Sequence, residues 1–252
     1  MLQDSSGLKP NVICEPFLGN SPLWSLSYEW WFYMVYFLLF KCVKQKTKAS
    51  KAIYSIGIIS ALSYIFYPNF FNRELMYMVI WWIGADLANL YINKDDITFK
   101  KLNTQFFSLG LIIIILVLNV YFNKGANASI GISPILELRH FCFAIAVLSV
   151  MIIWKNMNWI GFNASVGLFK FVSPISFSIY ISHWFLVVQG HYLDAILVNN
   201  YSRYFLMIFV CLVYSYIMDK LLYPILSTWL LNKLFTSNKN RNINSVKELH
   251  HV

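Results

Sequence analysis

Long apolar runs separated by short polar stretches set the pattern of this chain. Seven such runs lie at about 24–40, 52–67, 75–92, 105–122, 135–154, 172–190 and 203–222. A helix crossing a bilayer needs roughly 17–25 mainly apolar residues, and each run fits, the second at the short end. The pattern predicts an all-α fold, a polytopic transmembrane bundle filling one domain over residues 1–236. No period recurs between the runs, so a solenoid or an inverted-repeat transporter gains no support. Residues 156–169 are apolar but broken by Gly and Asn, which predicts an interfacial piece anchored by Trp159 and Phe162. Pro224 predicts a break or kink. Beyond it, 225–235 reads as an amphipathic interfacial piece and 237–252 as a polar, disordered tail.

Composition agrees with the pattern. The 252 residues are 58% hydrophobic, 18% aromatic and only 12% charged, against about 25% charged residues in soluble domains. The formal net charge of +9 would suggest nucleic acid in a soluble protein. Here it reports topology instead, because Lys and Arg gather on cytoplasmic loops. Residues 41–51 hold five lysines and no acid, which places that loop in the cytoplasm. Alternation then puts 15 of the 20 Lys and Arg residues inside. The N-terminus falls outside and the C-terminus inside; the expected location is a cytoplasmic (inner) membrane. Residues 1–20 lack the basic start and apolar core of a signal peptide. Cys14, Cys42, Cys142 and Cys211 are scattered without metal-ligand spacing and read as small packing residues. No metal site, nucleic-acid partner or Gly-rich phosphate loop is indicated.

Few polar residues fall inside the runs, and those few are the candidates for chemistry. Ser25, Glu29 and Tyr33 follow at i, i+4 and i+8, on one face of the first helix. An intramembrane carboxylate is costly and is a functional candidate for that reason. On the residues alone, Glu29 equally fits a hydrogen-bonded carboxyl joining two helices. Trp30 and Trp31 fit an interfacial aromatic belt. In the sixth run, Ser173-Pro174 reads as an N-cap followed by Pro at the first helical position. Ser176, Tyr180 and His183 then share a face. His183 fits a proton relay or, equally, a neutral interhelical hydrogen bond. Asp86 reads as a solvated carboxylate, with Gly84, Ala85 and Ala88 suited to close helix packing. Glu137, Arg139 and His140 cluster at the outer end of the fifth run, as an ion cluster or an entry for an acceptor. His191 reads as a loop residue.

Pro22-Leu-Trp-Ser-Leu-Ser-Tyr-Glu29-Trp-Trp-Phe-Tyr33 resembles the hallmark of the acyltransferase 3 family, bacterial integral-membrane O-acyltransferases. Ser176-Phe-Ser-Ile-Tyr-Ile-Ser-His183 resembles that family's later Ser-x-Ser-Ile-Tyr-x-x-His helix, and the two occur in the family's order. The resemblance implies transfer of an acyl group, most often acetyl, from cytoplasmic acyl-CoA to a hydroxyl of an envelope glycan or lipid-linked oligosaccharide. Acyl-CoA would be a substrate, with no tightly bound cofactor. Glu29 and His183 would serve catalysis by positioning substrate and stabilising charge. Trp24, Ser25, Ser27, Tyr33, Ser176 and Tyr180 would contact substrate. Aromatic residues stand directly after Glu29 where the family often has polar ones. The family's presumed catalytic His and arginine-rich donor motif lie on early helices, and residues 1–20 match neither. The resemblance therefore predicts that the chain corresponds to the last two-thirds of a member. The general base and further N-terminal helices would lie upstream or on a separate chain. The alternatives are a glycan flippase, a polymerase-like protein or transporter, and an inactive remnant of the enzyme.

Overall fold

The computed structural model describes residues 2–43, 46–123, 129–194 and 199–233. The expected disordered tail at 237–252 lies outside them. The described residues are helical, without a strand beyond an isolated bridge between Gln3 and Cys14. The chain forms two compact units, residues 1–161 and residues 162 onward.

The first unit is an N-terminal segment followed by five helices: α1 (Trp24–Cys42), α2 (Lys46–Phe66), α3 (Phe70–Ile92), α4 (Asn103–Phe122) and α5 (Ile135–Asn156). The apolar runs locate all five. Helices α2 to α5 are each long and apolar enough to cross a membrane. In α1, Trp24, Tyr28, Phe32, Val35, Tyr36 and Leu39 pack into or against the core, at the 3–4 residue spacing of one helix face. Helix α3 starts five residues before its apolar run. Asn69 and Asn72 exchange side-chain and backbone hydrogen bonds in a capping box, which satisfies donors at the helix start. The charged pair Arg73-Glu74 thereby falls inside the helix and is buried.

Helices α2 and α3 approach closely at Gly57. A Cβ built on Gly57 would collide with the side chain of Val79, and Val79 is itself fully buried. Glycine is required there for the helices to approach. Gly57→Ala should destabilise the protein by about 1–3 kcal/mol, the usual cost of overpacking. Thermal unfolding in detergent measures this, and Gly84→Ala is the control. Gly84 was expected at a close contact, but it is exposed and a Cβ there meets nothing within 4 Å.

The second unit holds α6 (Ser176–His183), continued by a π-helical turn at Trp184–Val188, and α7, which starts at Asn200. The apolar helix at Ser173–Val188 is short for a crossing, while α7 runs unbroken through Asn200–Lys233. The interfacial piece expected after Pro224 is therefore an extension of α7. A π-helical segment at Ile217–Leu222 precedes the proline. Such a bulge widens the backbone where the ring would clash and no N–H is available to bond. Trp159 and Phe162 are exposed.

Candidate functional site: a buried polar cluster under the N-terminal segment

The first unit carries one group of polar side chains at the end where the N-terminal segment packs, and another at its opposite, lysine-bearing end. The first is the more deeply buried. Asp4 is fully buried and binds two cations, Lys9 through Oδ1 (2.9 Å) and the Arg73 guanidinium through Oδ2 (2.9 Å). Tyr28 donates to the same Oδ2 at 2.8 Å, and Arg73 Nη1 donates to the Pro10 carbonyl at 2.7 Å. Gln3 N–H donates to Ser27 Oγ, and Ser133 N–H to the Leu8 carbonyl. The segment before α1 is thus tied to α1, α3 and the start of α5. Burial lowers the Lys9 pKa, and the carboxylate of Asp4 opposes that shift.

Lys9 also lies over an aromatic face, its Nζ 3.3 Å from the centre of the Trp24 ring, a favourable cation–π placement. Trp24 in turn stacks on His140, with ring centres 6.1 Å apart. His140 Nδ1 and the Tyr77 hydroxyl are 2.7 Å apart. Beside them, Tyr64 donates to Glu137 Oε1 at 2.9 Å and contacts Ser133 Oγ at 2.8 Å. The second oxygen of Glu137 and both oxygens of Glu74 are buried without a hydrogen-bond partner among the described residues. Trp24, Tyr77 and His140 head a cleft of about 470 Å³ between α3, α4 and α5. Below them its walls are apolar, from Ile80 and Phe143 to Leu87 and Met151. A polar head with a basic nitrogen over an apolar channel can hold an amphiphile and move a proton at its head.

The sequence-predicted residues divide in their placement. Trp24 is central to this cluster. Ser27 is buried and accepts the Gln3 N–H. Ser25 is half-buried, whereas Glu29 and Tyr33 are exposed, with Tyr33 packed on Trp81. The face of α1 turned inward is one step round from the expected one, because burying Tyr28 and Phe32 outweighs sheltering one carboxylate. In the second unit, His183 is half-buried and its Nδ1 lies 2.7 Å from the carbonyl of Tyr180. A carbonyl only accepts, so Nδ1 carries the proton and Nε2 is the basic nitrogen. Tyr180 lies beside it, with ring centres 5.9 Å apart. Ser176 is exposed and donates to the Ser173 carbonyl. Ser173 makes no side-chain cap. It opens a 3-10 turn that holds Pro174, and α6 starts at Ser176. Ser182 faces α7 instead, against Cys211 and Ser215. His191 sits in an exposed cluster with Asp194 and Arg203.

At the lysine end, Asp86 is not merely solvated. It accepts hydrogen bonds from Ser50 (2.8 Å), Tyr54 and Gln105 (2.8 Å), joining α2, α3 and α4.

Sequence reasoning missed Asp4, Lys9, Arg73, Tyr77 and Glu74. The one available signal was the charge pair Arg73-Glu74 at the edge of an apolar run, where charges are rare unless paired.

A helical bundle whose first unit has four helices long and apolar enough to cross a membrane, around an ionisable core, fits a multi-pass membrane protein. A family model described as an acyltransferase domain matches residues 2–220. The chain belongs to the acyltransferase 3 family and is, in class, a membrane acyltransferase. No curated protein and no solved structure matches it.

Proposed function

We propose that the protein moves an acyl group, an acetyl group in the first instance, from cytoplasmic acyl-CoA to a hydroxyl of a cell-surface glycan. It does so in the inner membrane, with the lysine-bearing end in the cytoplasm and the N-terminal segment outside. The observation that carries this reading is the His140–Tyr77 pair at the head of the cleft. In the tautomer where Nδ1–H donates to Tyr77, Nε2 is free to take the proton of an acceptor hydroxyl. The acceptor oxygen bonds to the thioester carbonyl carbon, the carbon–sulfur bond breaks, and the proton passes from His140 to the departing thiolate. Trp24 offers a flat face for a sugar ring. Glu29 and His183 keep supporting roles, in positioning and charge stabilisation.

The test uses inverted membrane vesicles from cells that carry the acceptor glycan, with and without this chain, and acetyl-CoA labelled in the acetyl group. Alkali-labile label should appear in glycan only when the chain is present. Glu29→Gln and His183→Ala should lower that label by less than a change at His140. Label at the level of the empty vector, with the chain inserted and folded, would overturn the reading.

A further inference from the structure

The cleft under Trp24 has a depth that proton transfer at its head does not explain. Tyr77, Ile80, Gly84 and Leu87 line it from α3, and His140, Ala144, Val147 and Met151 from α5. Spacings of three and four residues trace one face of each helix. Two stripes thus run down the cleft together, and the ten residues of rise from Tyr77 to Leu87 amount to about 15 Å. The cleft holds about 470 Å³. Gly84 widens it: a Cβ built there meets nothing within 4 Å. That gap lies about 10 Å below Tyr77 along the helix.

Polarity is confined to one end. Among the lining residues, Trp24, Tyr77 and His140 carry the nitrogen and oxygen atoms of the side chains, and Tyr77 and His140 already meet each other. Every lining residue below them is a hydrocarbon, the thioether of Met151 or Gly84. A sugar has a hydroxyl on nearly every ring carbon. Pushed below the head, those hydroxyls would leave water and find no partner. The lower cleft is matched instead by a chain without polar groups, with a hydroxyl-bearing head that stops at the base.

We infer that this cleft holds the hydrocarbon chain of a membrane-anchored acceptor, and that the open space at Gly84 decides how long a chain is admitted. Assigning the chain to the acceptor rests on the reading above. The head of the cleft is the end where the N-terminal segment packs, proposed to lie outside. An acyl-CoA seated here chain-down would carry its nucleotide to that outer side, away from the cytoplasm that supplies it. An acceptor anchored in the outer half of the bilayer enters with its head already at that level. Binding energy collected along the chain then serves to hold the hydroxyl beside His140.

The test uses the purified full chain in nanodiscs and dodecyl glucoside with a diazirine at the end of its chain, kept below the micellar concentration. On irradiation, label should concentrate on the lower lining, at Leu87, Val147 and Met151. Unlabelled dodecyl glucoside should displace it. Gly84→Leu should weaken that displacement by about tenfold or more, the discrimination that a methylene-sized change in an apolar pocket can reach. Hexyl glucoside should lose less, because its chain ends above Gly84. Comparing variant with wild type at one chain length cancels the partition of each probe into lipid. Melting curves show whether Gly84→Leu is folded. Should it not be, Gly84→Ala must shift the dodecyl probe in the same direction by a smaller factor. Label spread evenly over the exposed apolar residues of the spanning helices would be ordinary lipid contact and would overturn the proposal. Label in the cleft that excess dodecyl glucoside fails to displace would do the same, as would wild-type displacement in the folded variant. Labelling is read without donor or transfer. Vesicles that fail to acylate glycan while displacement holds would sink the glycan reading and leave the chain site standing. Transfer that proceeds while label ignores the cleft would sink the chain site alone.

Discussion

Replacing His140 by alanine should lower acyl transfer about 10²–10⁴-fold, the range lost when a positioned acid–base group is removed. The loss should fall on turnover, because the imidazole is asked to accept a proton as the new ester bond forms and not merely to hold substrate. His140 is half-buried and Trp24 stacks on it, so some stability is lost as well. A melting curve in detergent separates the two effects. Tyr77→Phe is the companion variant. It keeps the ring that packs on Trp24, Tyr28 and Phe141 but removes the oxygen that meets Nδ1. A smaller loss in turnover with little change in stability is expected. If folded His140→Ala protein transfers acyl groups at the wild-type rate, the proton acceptor lies elsewhere. The free Nε2 of His183 is then the next group to test.

The helices were legible because membrane crossing imposes a length, and length survives ignorance of tertiary contacts. The buried face of α1 was not. Spacing placed Ser25, Glu29 and Tyr33 on one face correctly, but which face turns inward is settled by partners. Trp24, Tyr28 and Phe32 find Tyr77, Phe70 and Trp81 on α3, and those contacts outweigh one carboxylate. The N-terminal segment was illegible for a related reason. Asp4 and Lys9 in a short polar stretch look like solvated tail residues. Only Arg73, far along the chain, shows that they are core residues. Asp86 was read as solvated because it sits near the lysine-bearing end of its run, while its donors, Ser50, Tyr54 and Gln105, come from other helices. Trp24 and His140 were singled out from sequence, and the fold brings them together. Pro224 predicted a break or kink; the helix does not break there, and a π-helical turn precedes the proline.

The second large effect is expected from the ion network that holds the N-terminal segment. Asp4→Ala leaves Arg73, fully buried, and Lys9, nearly so, without their shared counter-charge. Breaking a buried pair from one side costs about 3–5 kcal/mol, because the charges left behind have no water to turn to. The variant should unfold at markedly lower denaturant, and protease should cut residues 2–23 faster. A triple variant, Asp4→Leu with Lys9→Met and Arg73→Met, removes all three charges at once. It should recover much of the lost stability, since apolar replacement of a whole buried cluster is often neutral or better. It should not recover transfer if Lys9 over Trp24 helps to shape the head of the cleft. That split separates the two roles of the segment: the charges hold it down, and one of them, once held, faces the ring on which substrate is proposed to rest. Unchanged stability and protease protection in Asp4→Ala would mean that the network contributes nothing to holding the segment. The site would then have to be drawn without it.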